Sequence, residues 1–317
     1  MTEVPIRVGV IGLGAFGRHH ARHYAAHGSA TLVAVSDVDA GRVGEAASLH
    51  GCVGFADWRD TIGKVDAVSI AVPASAHAAV ARTFIDAGVH VLIEKPIATT
   101  SRDARDLVSR ADRAGVVLQV GHVERFSPAI GELAARVQNP RRISCLRRAA
   151  WNGRSTDVDV VLDMMIHDIG HVLMLAGSPV ATVSASGRVV RSESTDEAEA
   201  WLTFAGGLIA TLSASRVAGQ NERKLVVTEP GVTYTADLAA PSLTVASRAM
   251  WNAPATAVVL PSRDNLAAEI DAFLNSVATG APPVVDGRTG LAALEVAERI
   301  QAAIADADVV AARSFAQ

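Results

Sequence analysis

The chain is predicted to be an α/β protein in two parts. Residues 1–122 read as a doubly wound parallel sheet, and residues 123–317 as an α+β domain with a large, mostly antiparallel sheet, whose C-terminal helices are free to pack back on the first domain. Three observations predict this. A length of 317 residues suits roughly two domains of about 150 residues each. Apolar strand-like runs alternate with helical segments up to His122, the rhythm of a parallel sheet wound on both faces. After Phe126 strand-like runs crowd together, as an antiparallel sheet requires.

The first strand and helix are contained in RVGVIGLGAFGRHHARHYAAHG, Arg7 to Gly28. Val8, Val10 and Ile11 form a β-branched run suited to a buried parallel strand. Gly12, Gly14 and Gly17 follow as GxGxxG, with Leu13, Ala15 and Phe16 between them, and open a helix that ends at Gly28. Gly12 permits the tight bend, Gly14 lets the backbone approach a pyrophosphate, and Gly17 lets helix and strand pack closely. The helix start offers free N–H groups and a positive dipole end to phosphates. A second strand, TLVAVSD, ends at Asp37, about 20 residues on, where a carboxylate meets the adenosine ribose. Gly12, Gly14, Ala15, Phe16, Gly17 and Asp37 are therefore candidate cofactor contacts in a Rossmann domain. The acid favours NAD over NADP, although Arg42 is near in sequence. His19, His23 and His27 on the same helix read as a solvated face, because no acid or thiol accompanies them as a metal ligand would.

The pattern continues with a strand at Val65 to Pro73 and a helix to Ala87–Gly88. A strand at His90 to Pro96, a helix from about Ser101 to Ala114 and a strand at Val116 to His122 follow. Ligands of such sheets bind at the carboxyl ends of the strands. Val72, Pro73, His77, Glu94, Lys95 and His122 fall there. Pro96 pushes Lys95 toward an extended conformation.

In the second part EAEAWLTF, GLIATLSASRV, KLVVTEP and GVTYTADL read as strands, with Gly206–Gly207 as a hairpin signal. RRISCLRR, Arg141 to Arg148, alternates and suits a strand with one solvated face. DGRTGLAALEVAERIQAAIADA places Leu291, Leu294, Val296, Ala297 and Ile300 at helical spacing, a core face. DMMIHDIGH, from Asp163, reads as a helix with Asp163, His167 and His171 on one face.

A net charge of −4 excludes the broad basic field that nucleic acid needs. No apolar run approaches the roughly 18 residues of a membrane span. The N-terminal segment lacks the pattern of a secretory leader, so a cytoplasmic location is expected. Cys52 and Cys145 lie far apart and read as reduced structural thiols.

In this order and spacing, GLGAFG, AVPASAH, EKP and DMMIHD resemble the Gfo/Idh/MocA family of sugar oxidoreductases, over nearly the whole chain. GHVERFSPAI, VDVVLDMMIHDI and TLSASRV are most similar to the members that oxidise the C3 hydroxyl of UDP-N-acetylglucosamine with NAD. The resemblance assigns Lys95 to the lysine of EKP, Asp163 and His167 to the acid and histidine of D-x-x-x-H, and His77 to a histidine near the cofactor. It also implies a homodimer or homotetramer formed through the C-terminal sheet, and a place in making a 3-amino sugar for lipopolysaccharide. Ser127 stands where the family pattern has Asn, and His171 inherits no role.

Oxidising an alcohol with NAD needs a base with a pKa near working pH and stabilisation of the developing alkoxide. His167 is the favoured base, with Asp163 orienting it and Lys95 supplying a cation; Lys95 as the base is the alternative. Lys95 makes a catalytic metal unnecessary, so Asp163, His167 and His171 are not read as ligands. Candidate substrate contacts are His122, Glu124, Arg125, Arg154 and Arg216, the arginines for a diphosphate. The competing readings are a sibling enzyme for an inositol, a free sugar or another nucleotide sugar, and a ligand-sensing regulator. Keeping Lys95, Asp163 and His167 together argues against the regulator.

Overall fold

The computed structural model describes residues 5–153, 156–247 and 254–314. The chain divides into two compact units, residues 1–123 with 264–291, and residues 124–263 with 292–317.

The first unit is built on a six-stranded parallel sheet in the order β3-β2-β1-β4-β5-β6. Its strands are β1 (Ile6–Ile11), β2 (Ala30–Ser36), β3 (Val53–Phe55), β4 (Ala67–Ile70), β5 (His90–Glu94) and β6 (Leu118–Gly121). The helices α1 (Gly17–Ala25), α2 (Ala40–His50), α3 (Ala74–Asp86) and α4 (Ser101–Ala114) connect them. Strands β4 and β5 are buried almost throughout, as in a sheet covered on both faces, and apolar there apart from Ser69 and Glu94. Asp39 caps α2 by accepting from Gly41 N and Arg42 N, and Thr100 caps α4 by accepting from Asp103 N. Helix α7 (Asn265–Thr279) belongs to this unit. Its Leu266, Ile270, Phe273 and Leu274 join Val8, Val10, Leu13, Ala21 and Tyr24 in one apolar core.

The second unit holds an eight-stranded sheet in the order β14-β13-β12-β11-β7-β10-β9-β8. Among the described residues of this sheet, only β7 (Arg142–Arg148) and β10 (Ile209–Ser215) pair in parallel. The other strands are β8 (Val180–Arg188), β9 (Glu197–Phe204), β11 (Glu222–Glu229), β12 (Val232–Asp237), β13 (Ser242–Ser247) and β14 (Thr256–Val258). Strand β9 alternates cleanly: Ala198, Ala200, Leu202 and Phe204 are buried, while Glu199, Trp201 and Thr203 are exposed. The hairpin expected at Gly206–Gly207 joins β9 to β10, and Gly207 has φ +84°. Helices α5 (Pro128–Arg136), α6 (Ile166–Ala176) and α8 (Gly287–Ser314) complete the unit, α8 crossing from the first.

One expectation needs correction. The chain around Asp163 is not a plain α-helix: Val161–Met165 form a π turn, and α6 begins only at Ile166. The Asp159 carboxylate accepts from both Val161 N and Leu162 N and starts this wider turn. Asp163 therefore precedes His167 across a change of helical pitch. Such π turns recur at functional sites.

Helix α1 lies hard against β1. A Cβ on Gly17 would come 1.8 Å from the Gly12 carbonyl oxygen. Gly17→Ala is therefore expected to cost about 3 kcal/mol or more of stability in urea unfolding, since the obstacle is backbone that cannot step aside.

Candidate active site

Most of the cofactor candidates sit at the carboxyl ends of β1, β2, β4 and β5, where the parallel sheet opens. Gly12 has φ +90°, a conformation for glycine, and a Cβ there would meet the Ala71 carbonyl oxygen at 2.6 Å. At Gly14 nothing lies within 4 Å of a would-be Cβ, so the turn is open toward a ligand. The first turn of α1 carries no acid, and no side chain caps its start. Arg18 N–H gives to the Gly14 carbonyl and His19 N–H to that of Phe16, and the positive end of the helix dipole faces the open turn, which fits a dinucleotide's pyrophosphate.

Asp37 is fixed by two backbone donors: Leu13 N–H gives to Oδ2 at 2.6 Å and Asp39 N–H to Oδ1 at 2.9 Å. That ties the end of β2 to the glycine turn and holds a carboxylate where the ribose hydroxyls of NAD would lie. Arg42 Nη1 stands 3.9 Å from Asp37 Oδ1, half exposed.

His77 on α3 is buried, its ring nitrogens 2.7 Å from the Pro96 carbonyl oxygen and 2.9 Å from that of Val72. The imidazole so stitches the turn after β4 to the turn after β5, and Lys95 lies in the second of these. The Lys95–Pro96 peptide is cis. Val72, Lys95 and Ala15 are half-buried, and Pro73 and Phe16 are exposed. Glu94 turns inward, its carboxylate 3.0 Å from His20 Nε2. His122, just past β6, is buried.

In the second unit Asp163 and His167 are both half-buried, on the π turn and the first turn of α6. The segment leading into them is anchored on both sides. Gln301 on α8 donates to Asp159 at 2.8 Å, and Arg216 Nη1 donates to the Val158 carbonyl at 2.8 Å. Arg216 is only 4% exposed and also donates to Asp196, Ser192 and Ser194. Its guanidinium braces the segment that carries Asp163, a use the diphosphate reading did not foresee. Arg154 lies outside the described residues.

Glu124 is likewise engaged. Arg147 Nη1 and Nη2 reach its two oxygens at 2.8 and 2.5 Å, Arg223 adds a bond at 3.2 Å, and Arg147 also forks onto Asp168 at 2.8 and 3.0 Å. Glu124, Arg147 and Asp168 are all buried. Burial pushes the Glu124 carboxyl up, but the Arg147 guanidinium outweighs it and holds the group well below the usual range. At Asp168 burial wins, helped by the charge of Glu124, and the carboxyl is raised. Because Asp168 directly follows His167, this cluster fixes the turn that presents the imidazole. Arg125, by contrast, is half-buried and makes no ion pair or side-chain hydrogen bond among the described residues. Burial alone lowers its pKa, which leaves a guanidinium suited to an anionic ligand.

Sequence reasoning missed the histidine that matters inside the first unit. His23 and His27, read as solvated, are half-buried and reach Asp264 and Asp271, at 3.4 and 2.9 Å. His20, passed over, is fully buried.

Residues 6–122 match the family model for an oxidoreductase family with an NAD-binding Rossmann fold, and residues 129–231 the GFO/IDH/MocA C-terminal domain. UDP-N-acetylglucosamine 3-dehydrogenase of Acidithiobacillus ferrooxidans is 37% identical over 95% of this chain and 98% of its own. Its solved structure superposes with a TM-score of 0.89 over the same shares. Myo-inositol 2-dehydrogenase of Thermotoga maritima is 28% identical over 91% of this chain and 93% of its own.

Two outcomes are expected from this geometry. Arg147→Met strands two buried carboxylates and should cost about 3–5 kcal/mol in urea unfolding, with part recovered by adding Glu124→Gln. His171, buried, is pushed down to about 4 from its ordinary 6.5, mainly by burial. The unfolded chain therefore binds the extra proton first, and stability present above pH 6.5 drains away as pH falls toward 4. His171→Gln should remove that part of the acid sensitivity, measured as melting temperature against pH.

Proposed function

The chain belongs to the Gfo/Idh/MocA oxidoreductase family, and from that premise we propose that it oxidises the C3 hydroxyl of UDP-N-acetylglucosamine to the ketone with NAD. The observation that carries this reading is the full-length likeness to a dehydrogenase of that sugar, joined to Lys95, Asp163 and His167 in their motifs.

Bound NAD supplies the hydride acceptor. The residues of the chain do the rest. Gly12, Gly14 and the start of α1 cradle the pyrophosphate, and Asp37 takes the ribose hydroxyls and repels a 2′-phosphate. Lys95, carried on the turn that His77 braces, brings a cation toward the reacting oxygen and favours its ionised form. His167 takes the C3 hydroxyl proton, and Asp163 orients the imidazole. Arg125 holds the substrate's diphosphate. His122, at the end of β6, supports the sugar.

No described helix is long and apolar enough to cross a membrane. On the solvent face of the eight-stranded sheet Trp201 is 43% and Ile209 42% exposed, which supports a homodimer or homotetramer joined there. The product ketone suits an aminotransferase that makes a 3-amino sugar for lipopolysaccharide.

NADH should form when the protein meets NAD and UDP-N-acetylglucosamine, with an aminotransferase and glutamate drawing off the ketone. Silence with this sugar beside rapid turnover of myo-inositol would move the chain to the inositol enzymes. His167→Ala should lower kcat by about 10²–10⁴ with little change in NADH affinity. Gly14→Ala should leave stability within about 1 kcal/mol, since its Cβ meets nothing, and weaken NADH binding by about tenfold or more.

A further inference from the structure

Inside the first unit, five elements converge on buried polar side chains that the redox chemistry leaves unused. His20 and Tyr24 on α1, Ser69 on β4 and Glu269 on α7 are fully buried, and Glu94 at the end of β5 is 8% exposed. Tyr24 Oη lies 2.8 Å from Ser69 Oγ, Ser69 Oγ 3.0 Å from His20 Nδ1, and His20 Nε2 3.0 Å from Glu94 Oε1. One ring nitrogen of His20 and one carboxyl oxygen each of Glu94 and Glu269 lie within 4.8 Å of one another. Neither oxygen of Glu269 has a hydrogen-bond partner among the described residues. From β6, Gln119 Nε2 donates to the Glu269 carbonyl at 3.0 Å and fixes that turn of α7. The Glu94 carboxyl rests on Gly121, where a Cβ would come 2.9 Å from its carboxyl carbon.

Two carboxyl groups this close, shielded from water, do not both ionise without a balancing charge. Among the described residues, the titratable groups facing Glu269 are His20 and Tyr24 from α1 and Glu94 from β5. Ser69 of β4 and Gln119 of β6 do not titrate. Glu94 has an imidazole beside it and Glu269 has no donor. We propose that Glu269 carries a proton at neutral pH and that, with His20, it is a positioning residue for Glu94 and, through the next peptide, for Lys95. This rests on the role assigned to Lys95 above. The hydrogen bonds then run one way: Tyr24 O–H gives to Ser69, Ser69 O–H to His20 Nδ1, and His20 Nε2–H to Glu94. Burial, with the charge of Glu94, drives the Glu269 carboxyl well above its ordinary value, and burial likewise raises Tyr24, which stays a donor. A second negative charge on Glu269 would push Glu94 off its seat on Gly121 and disturb the adjoining Lys95 turn.

Folded Glu269 binds a proton that the unfolded chain releases above its ordinary 4.5, so this group subtracts stability as pH rises from there toward the folded value. Glu269→Gln keeps the size and removes the titration. The variant's melting temperature minus that of wild type should climb from about pH 5 to about pH 8, by about 5 °C or more. NADH affinity, followed by its fluorescence, should fall with rising alkalinity in wild type and fall about threefold less in the variant. Both readouts need no sugar, so they stand apart from any failure of the proposed substrate.

A melting difference that stays flat across pH would overturn the proposal. So would an equivalent of divalent metal in the purified wild-type protein with a melting temperature lowered by EDTA, because a cation would then balance both carboxylates. If Glu269→Gln does not fold, wild-type protein carrying carbon-13 glutamate decides by infrared spectroscopy near neutral pH. A protonated carboxyl band that shifts with the label supports the neutral acid, and its absence overturns it.

Discussion

The first unit depends on how closely α1 approaches β1. With only hydrogen on Gly17, the helix start lies against the Gly12 carbonyl, closer than any side chain allows. This contact points the uncapped helix start toward the carboxyl end of the sheet and leaves the Gly14 backbone open. It also brings Leu13 N–H onto Asp37, so the phosphate end and the ribose end of one cofactor are set by one turn. Strands β4 and β5 then deliver Val72 and Lys95 to the same end of the sheet, with His77 bonded to the turns behind both.

Charge burial does the corresponding work in the second unit. Arg147 serves two buried carboxylates, and the peptide joining Asp168 to His167 carries that rigidity to the imidazole. Arg216 secures the approach to Asp163 from the other side. Buried ion clusters contribute little net stability, because desolvation offsets their attraction. What they provide here is position: a side chain that must take up a proton needs a fixed ring more than a stable fold.

Much of this was legible in the sequence because its causes are local. The glycine turn, the acid ending β2 and the lysine ahead of a proline are each set by a few neighbouring residues, and the structure puts them at strand ends. What depended on distant partners was not legible. His27 looked solvated because its partner Asp271 lies 244 residues away, on a helix that returns to the first unit. Glu124 and Arg216 looked available because a charged side chain facing a ligand and one facing a buried partner of opposite charge are the same letter. The π turn at Val161–Met165 escaped notice because periodicity assumes one pitch throughout.

In the proposed reaction a hydride leaves the sugar at C3. Incubating the protein with NAD and UDP-N-acetylglucosamine deuterated at C3 tests it most directly, with the nicotinamide product read by mass spectrometry. Deuterium on the reduced nicotinamide ring is the expected result. Reduced cofactor that carries no deuterium would contradict it, since the hydride would then have come from another carbon.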